Sequence, residues 1–218
     1  MVSAKEIVGL QDRLTEEWHA RPDAGSGDRI AVDQDGVAAE EKTRADWLRL
    51  VAEQHRANFD LWHIEDEART PGATDAEIAA VKRRIDETNQ RRNDLIEELD
   101  CWLLAWLEQR GLPNATAPQN SEPPGMIIDR LSILALKIYH TREEAGRRDA
   151  PQGHDERNRE RLAVLEEQRT GLAACLDALW REILDGRRSF KVYRQLKMYN
   201  DPSLNPAIYG KAGAGQRR

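Results

Sequence analysis

The feature that most constrains this chain is a set of apolar stripes at three-and-four spacing, each spanning several helical turns and closed by helix-stopping residues. The longest opens on a capping-box pattern, Thr74 with Glu77. It runs through Ile78, Val81, Ile85, Thr88, Arg92, Leu95, Leu99, Trp102 and Trp106 until Gly111 and Pro113 end it. Another runs from about Thr43 to Arg69 with Leu48, Val51, His55, Asn58 and Trp62 on one face, and Pro71 and Gly72 stop it. A third segment occupies Pro124 to about Arg147. A fourth shows Leu162, Leu165, Arg169, Leu172, Leu176, Leu179 and Ile183, with Gly186 as its C′ residue. Ser3 and Glu6 form a further capping box ahead of Ile7, Leu10, Leu14 and Trp18, and Arg21 to Val37 is a run of turn formers.

Helices of this length joined by short or moderate connections pack as antiparallel neighbours. The expected fold is therefore all-α, a single domain over residues 1–218. Its centre is an antiparallel up-and-down bundle of four long helices near 43–69, 75–109, 124–147 and 155–185. An N-terminal helix over 1–20, a loop over 21–37, an ordered basic and aromatic strap over 186–210 and a disordered tail over 211–218 complete it. The strand patterns that a Rossmann or P-loop fold needs are missing.

With 33% charged and 39% hydrophobic residues, the composition suits long solvated helices. Cys101 and Cys175 fall within helical patterns without metal-ligand spacing and are expected to be reduced core residues. The N-terminus lacks the apolar run of a signal peptide and no stretch approaches transmembrane length, so a cytoplasmic location and no membrane partner are expected. The net charge of −6 is uneven: after Gly186 come Arg187, Arg188, Lys191, Arg194, Lys197, Lys211, Arg217 and Arg218 against Asp201 alone. Such an end either folds over the acidic body or binds an anion. Phe190, Tyr193, Tyr199 and Tyr209 interleave with its cations in a pattern that stacks a base or holds phosphate, yet a pI of about 5.5 makes nucleic acid a poor partner.

The stretch NSEPPGMIIDRLSILALKIYH is apolar on nearly every side and still carries Asp129, Arg130, Ser132, Lys137 and His140. Burying a polar group unpaired costs about 2–7 kcal/mol even when it is neutral, so these groups are partnered, exposed at an end, or used. Counting residues from the helix-stopping positions sets His55 level with Asn89, and Arg92 level with His140. His55, Asn58, Asn89, Arg92, Lys137 and His140 are thus expected to form one internal polar layer. LWHIEDEAR adds Asp66, a carboxylate whose burial would raise its pKa and suit it to proton transfer. The candidate proton-transfer residues are His55, Asp66, Asp129 and His140. The candidate binders of a small anion are Asn58, Asn89, Arg92, Arg130, Lys137, Arg194 and Lys197, the last two from the strap. In the competing reading the layer only fixes helix register and the basic end docks on a partner. Metal and cofactor are expected to be absent: the Glu-x-x-His repeats of di-iron bundles are missing, and Asp60 with His63 or His140 with Glu143 are loose substitutes. A homodimer stays open.

Five blocks, LQDRLTEEWH, HRANFDLWHIEDEAR, RIDETNQRRNDLIE, DRLSILALKIYH and FKVYRQLKMYNDPSLNPAIY, together resemble the bacterial family known as domain of unknown function 4254, from about Leu10 to Tyr209. That resemblance implies a helical protein often encoded near glycan and glycosyltransferase genes, hence sugar or nucleotide-sugar chemistry. RIDETNQRRNDLIEEL alone also resembles the opening helix of the helical chorismate mutases, but the later lysine and the Asp-x-x-Arg-Glu pattern expected there are not evident. The expected function is that of an enzyme or enzyme-like binder of a small phosphorylated or otherwise anionic molecule in glycan or secondary metabolism. The alternative is a noncatalytic interaction protein.

Overall fold

The computed structural model describes residues 2–21, 39–196 and 203–206, with the side chains of residues 39–42 excepted. They form five helices: α1 (Ala4–Ala20), α2 (Ala39–Glu67), α3 (Asp75–Glu108), α4 (Pro124–Gly146) and α5 (His154–Leu184). No strand occurs among the described residues. None of the helices is long and apolar enough to cross a membrane. Both capping boxes form, Ser3 with Glu6 on α1 and Thr74 with Glu77 on α3, each satisfying two otherwise orphaned backbone donors. The loop expected over 21–37 lies, after Arg21, outside the described residues, as does the tail expected over 211–218.

Side-chain pairings set the helix directions. Gln11 meets Ile128 and His19 meets His140, Thr15 meets His55 and His19 meets His63, and His55 meets Ser132 while Trp62 meets His140. α1, α2 and α4 therefore point the same way. α3 and α5 run against them: Asp100 binds Gly125 while Arg92 binds Asp129, and Ala4 binds Asp177 while Asp12 binds Arg169. Among the described residues α4 packs on all four other helices, whereas the backbone of α5 runs close only to those of α4 and α1. Far from being peripheral, α1 sinks Ile7, Leu10, Gln11, Leu14 and Thr15 between its neighbours.

The core gathers Leu10 and Leu14, Trp47 and Val51, Leu99 and Leu103, Ile128 and Leu131, and Leu176 and Ile183, one pair from each helix. Burying each such side chain contributes about 1.5–3 kcal/mol. α4 begins without a side-chain cap of its own, and Asp100 of α3 accepts from the Gly125 backbone N–H at 2.7 Å instead. A Cβ on Gly125 would lie 2.7 Å from the Ile96 carbonyl oxygen, so only glycine admits this approach. Desolvation raises the Asp100 pKa to about 7, against the lowering effect of the Gly125 hydrogen bond.

After α5, Gly186 takes the left-handed conformation (φ 68°) that ends the helix, as its sequence position predicts. Ser189 then pairs with the 117–120 segment: its N–H donates to the Pro118 carbonyl at 3.0 Å and its own carbonyl accepts from the Asn120 N–H at 2.7 Å. Phe190 enters the core, and the Gln195 backbone N–H donates to Glu97 at 2.7 Å. Tyr193 and Leu204 are exposed, while Lys197, Tyr199 and Tyr209 of the expected strap lie outside the described residues.

Candidate functional site

The polar interruptions divide into three places. The first is a buried group centred on Asp129 of α4. Gln54 and Asn58, one turn apart on α2, donate to its Oδ1 at 2.7 and 2.9 Å; Arg92 of α3 donates to the same oxygen through Nε at 2.7 Å and reaches Oδ2 as well. Ser132, one turn along α4, continues the group. Asn58 donates to the Ser132 hydroxyl at 2.9 Å, and that hydroxyl bonds His55 Nδ1 at 2.7 Å. His55 Nε2 bonds Thr15 at 2.9 Å, and the Thr15 hydroxyl donates to the Gln11 carbonyl at 2.9 Å.

The proton inventory fixes the direction of this chain. Because Thr15 spends its hydrogen on a carbonyl, Nε2 of His55 must donate to it, and Nδ1 then accepts from Ser132. Such an imidazole is neutral. Complete burial pushes its pKa down to about 3, mainly by desolvation. The Gln11 and Gln54 amide oxygens are the atoms of this group that lack a partner among the described residues.

The second place lies further along the same three parallel helices, toward their C-terminal ends, where His19, His63 and His140 converge, all half-buried. One ring nitrogen from each lies within 4.8 Å of the other two. His19 Nδ1 donates to the Thr15 carbonyl at 2.7 Å and His63 Nδ1 to the Phe59 carbonyl at 2.8 Å, since a carbonyl can only accept. His140 Nδ1 pairs with Glu143 at 3.0 Å. The Nε2 atoms of His19 and His140 are buried without a partner among the described residues. Desolvation lowers the His140 pKa, opposed by Glu143 and reinforced by the other two imidazoles.

Each of these histidines follows an aromatic residue, and those aromatics brace histidines on other helices. Trp62 stacks on His140 at 4.7 Å between ring centres, Tyr139 on His19 at 4.2 Å, and Trp18 on His55 at 5.3 Å. The recurrence of Trp-His, Trp-His and Tyr-His in helical stretches is the signal by which the sequence alone could have found the cluster.

The third place is a groove of about 960 Å³ between α4 and α5, floored by Ile127, Ile133, Leu134 and Leu172 and rimmed by Arg130, Lys137 and Arg188 with Glu122, Glu167 and Glu182. Arg130 pairs with Glu122 at 2.9 Å and Arg188 with Glu182 at 2.8 Å; Lys137 makes no ion pair among the described residues.

The candidates are thus not one layer. His55, Asn58, Arg92 and Asp129 come together. His140 belongs to the histidine group, and Arg130 and Lys137 to the groove. Asn89 is half-buried and joins none of these hydrogen bonds. Asp66 is exposed, not buried as its proposed role required, near the end of α2, where Glu65 with Arg69 and Glu67 with Arg84 make a solvated, ion-paired terminus. Arg194 pairs with Glu97 of α3, and Lys197 lies outside the described residues. Arg92 meets Asp129 and not His140. The count that levelled Arg92 with His140 treated residues 109–123 as a turn, but that connection follows its own path and lets α4 slide along α3. Gln11, Thr15, Gln54 and His19 were missed, each a single polar residue that meets a residue of another helix.

The family described as "Protein of unknown function (DUF4254)" matches residues 48–192, well over half of the chain, and the chain belongs to it. The matched stretch includes His55, His63, Arg92, Asp129 and His140 and leaves out His19. No curated protein and no solved structure matches the chain.

Proposed function

We propose, from the premise that this chain is a member of a family whose description states no activity, that it binds a small anionic molecule, phosphorylated or nucleotide-sugar-like. We place it in the cytoplasm, in bacterial glycan or secondary metabolism. The frame is read as an antiparallel up-and-down bundle with residues 186–210 as a strap. The observation that carries the reading is Lys137: an ammonium without a carboxylate partner among the described residues, in a groove whose lining also includes the cations Arg130 and Arg188. An incoming phosphate gains a point charge from Lys137 and competes with the half-buried carboxylates of Glu122 and Glu182 for the neighbouring guanidinium groups. Proton transfer by His55 and Asp129 is not part of the proposal, because hydrogen bonds and burial close both. Phosphorus NMR titrations with inorganic phosphate and with uridine diphosphate test it. Saturable binding that Lys137→Ala removes while the helical signal is unchanged is the expected result; no binding of either probe to the folded chain sinks it.

The second reading, an interaction protein whose polar interior sets helix register, is favoured by the directed hydrogen-bond chain from Asn58 to Gln11. It gains if neither probe binds and the chain co-purifies with a stoichiometric protein partner.

A further inference from the structure

We propose that His19, His63 and His140 form a binding site for one divalent transition-metal ion of the zinc class, each ligating through Nε2. Three observations converge on it, and none of them depends on the groove between α4 and α5.

The first is the origin of the ligands. α1, α2 and α4 each contribute one imidazole, and one ring nitrogen of each already lies within 4.8 Å of one from each of the others. Around an ion with Zn–N bonds of about 2.0–2.1 Å, tetrahedral ligand atoms sit about 3.3 Å apart. Closing that difference shortens the separations by up to about 1.5 Å, or somewhat under about 1 Å of movement per atom, within the reach of side-chain torsions.

The second is the state of the rings. His19 and His63 are held by Nδ1–H bonds to the carbonyls of Thr15 and Phe59, and His140 is held at Nδ1 by the Glu143 carboxylate. Tying Nδ1 leaves the lone pair of a neutral imidazole at Nε2 and fixes the ring's direction, which is how outer hydrogen bonds prepare metal-bound histidines. Tyr139 and Trp62 stack on His19 and His140 and further limit their rotation.

The third is that two of the atoms so freed are unpaired among the described residues. Nε2 of His19 and of His140 is buried with no partner among the described residues, an arrangement that native proteins rarely tolerate. Imidazole nitrogens that converge cannot bond one another when each presents a lone pair. A cation satisfies all three at once. His19 and His63 also lie near the C-terminal ends of α1 and α2, where the helix dipoles favour positive charge. Three protein ligands leave a fourth coordination position for water or an anionic oxygen, the pattern of open zinc sites.

The Glu-x-x-His repeats that announce a di-iron bundle are missing, and the three histidines come from three different helices. That is why the sequence reading assigned no metal.

The test uses the full-length chain, stripped with a chelator and dialysed. Titration with Zn²⁺ is expected to show one site per chain, and Co²⁺ is expected to give the visible bands of a tetrahedral or five-coordinate nitrogen site. His63→Ala and His140→Ala should each weaken Zn²⁺ binding at least a hundredfold. Glu143→Gln should weaken it about tenfold, the usual reach of an outer partner. His154→Ala should leave it unchanged, because His154 stands apart and pairs with Glu144. Should a variant fail to fold, long-range proton–nitrogen spectra of the unmodified chain decide: added Zn²⁺ shifts Nε2 of three histidines and leaves His55 and His154 in place. Absence of Zn²⁺ uptake by the folded chain at micromolar concentration, or uptake that shifts a different set of histidines, overturns the proposal.

Discussion

Two polar groups sit along the same three parallel helices and obey opposite rules. Around Asp129, donors and acceptors are matched almost completely: four helices send polar side chains inward, and the one ionised acid meets the one ionised base. Around His19, His63 and His140, the Nδ1 atoms are tied and the Nε2 atoms of His19 and His140 lack partners among the described residues. A closed group of the first kind supports a unique helix alignment and offers no reactive atom. The other kind keeps lone pairs in reserve, as the proposed metal site requires. Polar burial is therefore a poor guide to function until each hydrogen has been assigned.

The contrast is broken most directly at Asp129. Asp129→Ala leaves Arg92, Gln54 and Asn58 facing an empty acceptor and is expected to cost about 3–5 kcal/mol, a loss of about 10 °C in melting temperature. A loss under about 1 kcal/mol in urea unfolding would show that the group holds nothing together. His55 gives the next largest effect. Its folded pKa of about 3 lies below the ordinary 6.5, so between those values the unfolded chain takes up a proton that the folded chain refuses. Its contribution to stability is intact above pH 6.5 and falls by about 1.4 kcal/mol for each unit below it. His55→Gln should flatten the pH dependence between about pH 4.5 and 6.5 relative to the unsubstituted chain, as read by urea midpoints.

Asp100 has the reverse sign. Its folded pKa of about 7 lies above 3.8, so the folded chain holds the extra proton and stability drains away as pH rises from 3.8 toward 7. Asp100→Asn keeps an acceptor for Gly125 and removes the titration. Its stability relative to the unsubstituted chain is expected to improve steadily between pH 4 and pH 7, and a constant offset would argue against the raised pKa. Smallest is His63→Ala, which forfeits one hydrogen bond and some ring contact at a half-buried position, about 1 kcal/mol. If it costs as much as Asp129→Ala, the histidine group is structural and the contrast collapses.

What the sequence disclosed follows from the range of each signal. Helices, caps and stops are written within a few residues: Ser3 with Glu6, Thr74 with Glu77, and the glycines at 72, 111 and 186, all with positive φ in the structure. The apolar spacing likewise located Leu95, Leu99, Leu176 and Ile183 in the core. The half of the site around Asp129 was legible because His55, Asn58 and Arg92 interrupt long apolar stripes. Which of them meet depends on how far one helix slides past another, and no local pattern encodes that across residues 109–123. The convergence of His19 with His63 and His140 was hidden for a related reason: each is one imidazole near a helix end, unremarkable until three parallel helices bring the ends together.

The glycine at the head of α4 has a consequence for that sliding. Displacing α4 along α3 by one turn, about 5.4 Å, would bring a side chain with a Cβ against the Ile96 carbonyl and carry Asp129 away from Arg92. Sterics at one place and charge at another thus reject the same wrong alignments. A chain carrying Gly125→Ala is asked to choose between two errors: crowding a carbonyl, or abandoning an ion pair. The molecule proofreads its own assembly twice, and the substitution leaves it with no alignment that passes both checks.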